Sequence, residues 1–263
     1  MKRYGIIPSA GLGSRLSPLA FSKEMFPIGY QIHEGELRPC PLSQYLVESM
    51  MKADIRNVFM IISPSKTDIL SYYQNGDRFN MDLSYLIQPH PKGMVDALAQ
   101  ATPWLPEEET FMITFGMPDT FFQPSTLYSS LIHYMENHSN VDIVLGVFPT
   151  KSWHKLGMVM LNEEKERIQV TDIIDKPKIK PDTDYAWGAA VWNANFQQFL
   201  TAYSKDYSDE KELALGNVFL AAMEKGYEID AIKGELYYDL GTVEDLSEAI
   251  NLLNQGKGEA YGD

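Results

Sequence analysis

Ser9-Ala10-Gly11-Leu12-Gly13-Ser14-Arg15-Leu16 places two glycines and a guanidinium within one short turn. Glycines there let the backbone approach an anion and aim N–H groups at phosphate oxygens, and Arg15 adds a fixed charge. A tight strand-to-helix turn would use the same glycines, so both readings stand for the loop alone. Two familiar phosphate grips do not fit. The Walker loop requires Gly-Lys-Ser/Thr after four residues, and the dinucleotide fingerprint requires a third Gly or Ala where Leu16 stands. The continuation Pro18-Leu19-Ala20-Phe21-Ser22-Lys23-Glu24-Met25-Phe26-Pro27 brings a second cation, flanked by prolines that stiffen the loop. Four later segments also carry polar chemistry. They are Gln88-Pro89-His90-Pro91-Lys92-Gly93, Gly116-Met117-Pro118-Asp119, Asp175-Lys176-Pro177 and Tyr237-Tyr238-Asp239-Leu240-Gly241-Thr242. Each has a plainer reading as a strand end, a turn or a cap, because Pro, Gly and Asp favour such places anyway.

The elements that must position these residues alternate. Strands are expected at Tyr4–Ser9, Val58–Ile62, Leu83–Gln88, Phe111–Phe115 and Val141–Phe148, and helices near Leu42–Ala53 and Thr126–Glu136. This is the pattern of βαβ units: an α/β, Rossmann-like, mainly parallel sheet flanked by helices. Asp119 then falls at the sheet edge where open α/β sheets bind ligands. Met158–Leu161, Ile168–Ile174 and Ala186–Trp192 read as an antiparallel second layer, with a return to the first sheet through Tyr237–Leu240. Thr242-Val243-Glu244-Asp245 opens a last helix carrying Leu246, Ala249, Ile250 and Leu253. Gly29–Pro41 and Thr201–Glu212 read as loops or insertions, and the acidic tail from Gly256 as frayed. The expectation is a single domain over residues 1–263, with 1–150 as a nucleotide-binding half and 151–263 as a substrate-binding half with a closing helix.

Composition narrows the function classes. A net charge of −14 argues against nucleic acid or an anionic membrane as partner, since either needs a basic surface. Any phosphorylated substrate must be held by a few local cations and a metal. Cys40 is the only cysteine and the five histidines lack His-Glu-x-x-His spacing, which disfavours disulfides and a zinc hydrolase. No apolar run is long enough to span a bilayer, and the N-terminus lacks the build of a secretion signal, so a soluble cytoplasmic protein is expected.

The motifs together resemble the sugar-1-phosphate nucleotidylyltransferases, whose signature is Gly-x-Gly-x-Arg-Leu followed by Pro/Ser-Lys-x-x-x-Pro. The opening residues and Lys23-Glu24-Met25-Phe26-Pro27 are most similar to the UTP–glucose-1-phosphate uridylyltransferase branch. The Gln88-to-Gly93 spacing is that of the thymidylyltransferase branch, although Val95-Asp96-Ala97 departs from that branch's Ala-Gln-Ala. The resemblance implies the nucleotide-diphospho-sugar transferase fold with a smaller antiparallel sugar-binding part. It implies that Ala10, Gly11 and Gly13 cradle a nucleoside triphosphate, that Arg15 and Lys23 are catalytic, and that Gln88 and Gly93 read a pyrimidine. Asp119 and Asp239 would hold Mg²⁺. Gly157, Asp175, Lys176 and Gly188 would hold the sugar phosphate, with Asp175 standing where the family has Glu and Trp187 near where it has a small or polar residue.

The implied reaction condenses UTP or dTTP with a sugar 1-phosphate, glucose 1-phosphate being the expected one, to give a nucleotide sugar and pyrophosphate. A sugar 1-phosphate is mostly a dianion at pH 7 and already nucleophilic, so no general base is needed. Homo-oligomerisation is left open. The rival readings are a non-catalytic nucleotide-sugar-binding regulator of the same fold, since fold does not fix function, and a nicotinamide-dependent oxidoreductase.

Overall fold

The computed structural model describes residues 1–33, 35–107, 110–165, 167–207 and 212–255, so the tail from Gly256 lies outside the described residues. In chain order the elements are β1 (Lys2–Pro8), β2 (Pro27–His33), β3 (Glu36–Pro41), α1 (Leu42–Lys52), β4 (Asn57–Ile62), α2 (Thr67–Tyr73) and β5 (Asp82–Ile87). There follow α3 (Met94–Ala101), β6 (Phe111–Gly116), β7 (Thr120–Gln123), α4 (Leu127–Asn137), β8 (Ile143–Pro149), β9 (Gly157–Glu164), β10 (Arg167–Asp175) and β11 (Tyr185–Asn193). The chain continues with α5 (Ala194–Asp206), α6 (Leu215–Glu224), β12 (Ile229–Lys233), β13 (Leu236–Asp239) and α7 (Val243–Gln255).

One nine-stranded sheet dominates, in the order β5-β4-β1-β6-β11-β8-β12-β10-β9. Strands β5, β4, β1 and β6 are mutually parallel. Successive side chains of a strand point to opposite faces, and the apolar runs supply both. Ile6, Phe59 and Ile61 pack with Val95, Leu98 and Phe196 from α3 and α5, whereas Ile7, Val58 and Met60 pack with Met50 of α1 and Leu131 of α4. Helices thus cover both faces, which is why these strands read as unbroken hydrophobic runs.

The three strands expected as an antiparallel second layer do pair antiparallel, but among the described residues they form no separate layer. Strands β9, β10 and β11 belong to the same sheet, and β11 lies between β6 and β8, antiparallel to both. Ala186–Trp192 is buried throughout, and a strand covered on both faces belongs in a sheet interior. The return to the main sheet is made by β12, parallel to β8, not by Tyr237–Leu240. Strand β13 instead pairs with β7 in a separate two-stranded ladder, Asp239 opposite Thr120 and Tyr237 opposite Phe122.

One segment expected as a loop is an ordered element, and a second is helical over its first half. Gly29–Pro41 lies within the β2–β3 hairpin, with Ile28 and Cys40 buried and Tyr30, Ile32 and Leu37 exposed. Its prolines are tolerated because a two-stranded ribbon has only edges. Helix α5 runs through Thr201 to Asp206, capped by Asn193 accepting from the Phe196 N–H, while residues 208–211 of the other expected loop lie outside the described residues. No helix among the described residues is long and apolar enough to cross a membrane.

Candidate functional site

A cavity of about 460 Å³ opens at the C-terminal ends of β1 and β6, within the range of small-molecule sites. The two strands are parallel neighbours, Ile6 opposite Phe115, so the loops that follow them emerge side by side. The first loop brings Ala10, Gly11 and Arg15 to the cavity, and the second brings Met117, Pro118 and Asp119. Strand β5 delivers Gln88, whose N–H donates to Ile62 O at 2.9 Å. At the far side, Asp175 ends β10 opposite Gly157 at the start of β9, so both arrive together with Lys176. Asp239 reaches the site on the β13–β7 ladder, and the Leu240 N–H donates to Asp119 O at 2.9 Å.

Ala10, Gly11, Arg15, Lys23, Gln88, Gly93, Asp119, Gly157, Asp175, Lys176 and Asp239 all line this cavity. Gly13 and Gly188 are placed behind it. Gly13 has φ +62°, and a Cβ there would lie 3.3 Å from Lys23 Cδ, so its bare backbone makes room for the lysine stem. Gly188 lies under the Tyr237 ring, which a Cβ would overlap. Lys176 also has a positive φ, +45°, unusual for a side-chain-bearing residue; its N–H donates to Leu156 O at 3.0 Å.

The 3₁₀ turn Lys23–Met25 is pinned from both ends. Ser22 donates to Asp68 through its backbone N–H at 2.6 Å and its hydroxyl at 2.7 Å. Glu24, 1% exposed, accepts from Lys66 Nζ at 2.7 Å. Burial pushes the Glu24 carboxyl up and the Lys66 ammonium down, each against its partner's charge. Lys23 Nζ meets Asp119 Oδ2 in an ion pair. Burial lowers the Lys23 ammonium, but Asp119's charge and hydrogen bond, with Glu24 and Asp239, outweigh it and leave the group raised. Asp239 has no ion pair among the described residues; burial and the Asp119 charge raise its carboxyl against the pull of Arg15 and Lys23. Arg15 and Lys176 also lack ion pairs among the described residues. Two cations are thus left unneutralised for an anion, and Asp239, crowded by Asp119, for a cation.

Sequence reasoning missed several lining groups. Lys155 lines the cavity, and its Nζ lies 3.4 Å from Asp245 at the start of α7. Tyr237, Met94 and Leu215 form apolar wall together with Trp187, which the resemblance had already set beside the sugar-phosphate residues. The Trp187 Nε1 is buried with no partner among the described residues and sits against Gly157, where an added Cβ would overlap the indole. A lysine two residues before Gly157 was the only local signal for Lys155; Trp187 and Tyr237 arrive on strands, and Met94 and Leu215 at the starts of α3 and α6.

The nucleotidyl transferase family model matches residues 4–256. A glucose-1-phosphate thymidylyltransferase of Neisseria meningitidis is 23% identical over 256 residues, 95% of this chain and 82% of that protein. A UTP–glucose-1-phosphate uridylyltransferase of Bacillus subtilis is 26% identical over 202 residues, 66% of this chain and 64% of that protein. Among solved structures, a UDP-glucose pyrophosphorylase complexed with UDP-glucose superimposes with a TM-score of 0.76 at 19% identity, covering 97% of this chain and 99% of that one. At that identity the likeness is one of fold.

Proposed function

The chain belongs to the nucleotidyl transferase family, and from that premise we propose that it joins UTP or dTTP to a sugar 1-phosphate, glucose 1-phosphate foremost, and releases pyrophosphate. The observation that most supports this is the convergence of Arg15, Lys23 and Lys176 on the same cavity as Asp119 and Asp239. Relatives named for glucose 1-phosphate with either UTP or a thymidylyl donor support the choice of substrates.

In this reading residues 1–150 hold the nucleotide and residues 151–263 the sugar phosphate. The N–H groups around Ala10 and Gly11 and the charge of Arg15 take the triphosphate. Lys176, a compact point charge, takes the sugar's phosphate, and Asp175 accepts from a sugar hydroxyl. A sugar-phosphate oxygen attacks the α-phosphorus in line; the bond to the bridging oxygen breaks, and pyrophosphate leaves with the electron pair. Lys23, held charged beside Asp119, faces the charge that develops on the leaving group.

Mg²⁺ takes one or two carboxylates and fills its other positions with phosphate oxygens and water. Asp119 and Asp239 fit that demand, because the pair lines one cavity and Asp239's carboxyl is raised by burial and by its neighbour's charge. When bound there, the ion supplies charge neutralisation and polarisation of the phosphoryl group. The test is to incubate purified protein with Mg²⁺, UTP or dTTP, and a panel of sugar 1-phosphates. Pyrophosphate release with glucose 1-phosphate is expected; silence across the panel would return the protein to the non-catalytic binding reading.

A further inference from the structure

Gln88 is 2% exposed and lines the cavity. Its Nε2 donates to Asp96 Oδ2 at 2.6 Å, and Gln100 Nε2, one helical turn further along α3, donates to the same oxygen at 3.1 Å. An ionised carboxylate accepts and cannot donate, so the amide end turned toward Asp96 must be the NH₂. The Gln88 Oε1 diverges from that bond, and among the described residues no donor reaches it. It is left to accept from whatever occupies the cavity.

We propose that Asp96 is a positioning residue that fixes Gln88 as an acceptor and thereby selects a 2,4-dioxopyrimidine over cytosine. Uracil and thymine carry hydrogen on N3 and can donate to Oε1. Cytosine presents a lone pair at N3, and turning the amide to donate to it would set Oε1 against the Asp96 carboxylate. Gly93, φ +104°, brings backbone to the same wall just ahead of α3. The inference rests on reading the cavity as a nucleoside triphosphate site.

The experiment measures equilibrium binding of UTP and CTP, each with Mg²⁺, to the full chain by calorimetry, alongside pyrophosphate release. The wild-type protein is expected to prefer UTP by roughly tenfold or more, the discrimination of a good polar base contact. Asp96→Asn can accept or donate, so both amide orientations become available and the preference falls toward parity. Asp96→Glu keeps an acceptor-only partner and retains the preference. Asp96 is half-buried in the first turn of α3; if circular dichroism shows the Asn variant unfolded, Asp96→Ser is read in the same way. A role in folding alone would weaken both nucleotides together and leave their ratio unchanged. Equal wild-type binding of UTP and CTP, or a wild-type ratio in Asp96→Asn, overturns the proposal. A ratio that collapses in the variant without pyrophosphate release in any protein would overturn the transferase reading and leave this one standing; release with an unchanged ratio does the reverse.

Discussion

Lys23 serves the site through both its charge and its fit. The ammonium stays protonated beside Asp119, and its stem lies over Gly13, where no side chain competes. Truncation by Lys23→Ala is expected to lower kcat by about 10²–10³-fold, the scale of losing one group that stabilises developing charge, as read from steady-state pyrophosphate release. Lys23→Arg should recover little of it, because a planar fork does not replace a point charge. Asp239 gives a pH prediction. Burial first, and then Asp119, raise its folded carboxyl above the unfolded value, so ionisation in the folded protein costs stability. That cost appears as pH rises from the unfolded-state value through the folded one and is fully present above both. Mg²⁺ is therefore expected to raise the melting temperature more at neutral pH than at a pH within the ordinary carboxylate range, and Asp239→Asn should shrink the difference. An equal Mg²⁺ effect at both pH values would count against this metal site. The chemistry of the opening loop was legible because glycine and a cation do their work through local spacing. Trp187 was marked by the resemblance as a large residue beside the sugar-phosphate group, but its contact with Gly157, and that of Tyr237 with Gly188, were not legible, since nothing near them in sequence shows these meetings.

At the level of elements, the turn carrying Lys23 owes its place to the first turn of α2. Asp68→Ala removes both acceptors of Ser22 and leaves the turn loose; kcat should drop roughly tenfold or more, because small displacements of a catalytic group are costly. The melting curve should change little, and an unchanged kcat would show the turn to be held by other means. The Glu24–Lys66 pair behaves differently, being 1% and 9% exposed at its side chains. Lys66→Met strands a buried carboxylate and is expected to cost about 3–5 kcal/mol in chemical denaturation, whereas Glu24→Leu with Lys66→Met should recover much of that loss. Neither clamp was visible in the sequence, where Ser22 and Glu24 were merely neighbours of Lys23. The parallel strands announced themselves as two-sided apolar runs, while the β2–β3 hairpin hid behind mixed charges and prolines that a ribbon open to solvent accepts.

For the whole molecule, one sheet takes strands from both sides of residue 150, so the two halves of the chain share a single scaffold with the cavity at its edge. Ligand binding should therefore stabilise the chain as a unit. UTP with Mg²⁺ at about 100 times its Kd contributes about 2.7 kcal/mol, which corresponds to roughly 5–10 °C in melting temperature at about 2–4 °C per kcal/mol for a chain of this size. Differential scanning calorimetry should show a single transition moving by that amount; two transitions moving separately would contradict a shared scaffold. The alternation of strands and helices foretold the α/β class, but not that β11 would enter between β6 and β8, because pairing partners are chosen by burial on both sides. The two acids of the cavity lie far apart in the chain, yet their separation is set where Asp239 faces Thr120 on the β13–β7 ladder. Such a separation is a counted quantity: it cannot drift, but only jump by a whole residue, and a jump of one would turn Asp239 to the opposite face and bring Tyr238 or Leu240 forward in its stead. Length changes in the connection before β13 are therefore tolerable only if they leave that count intact.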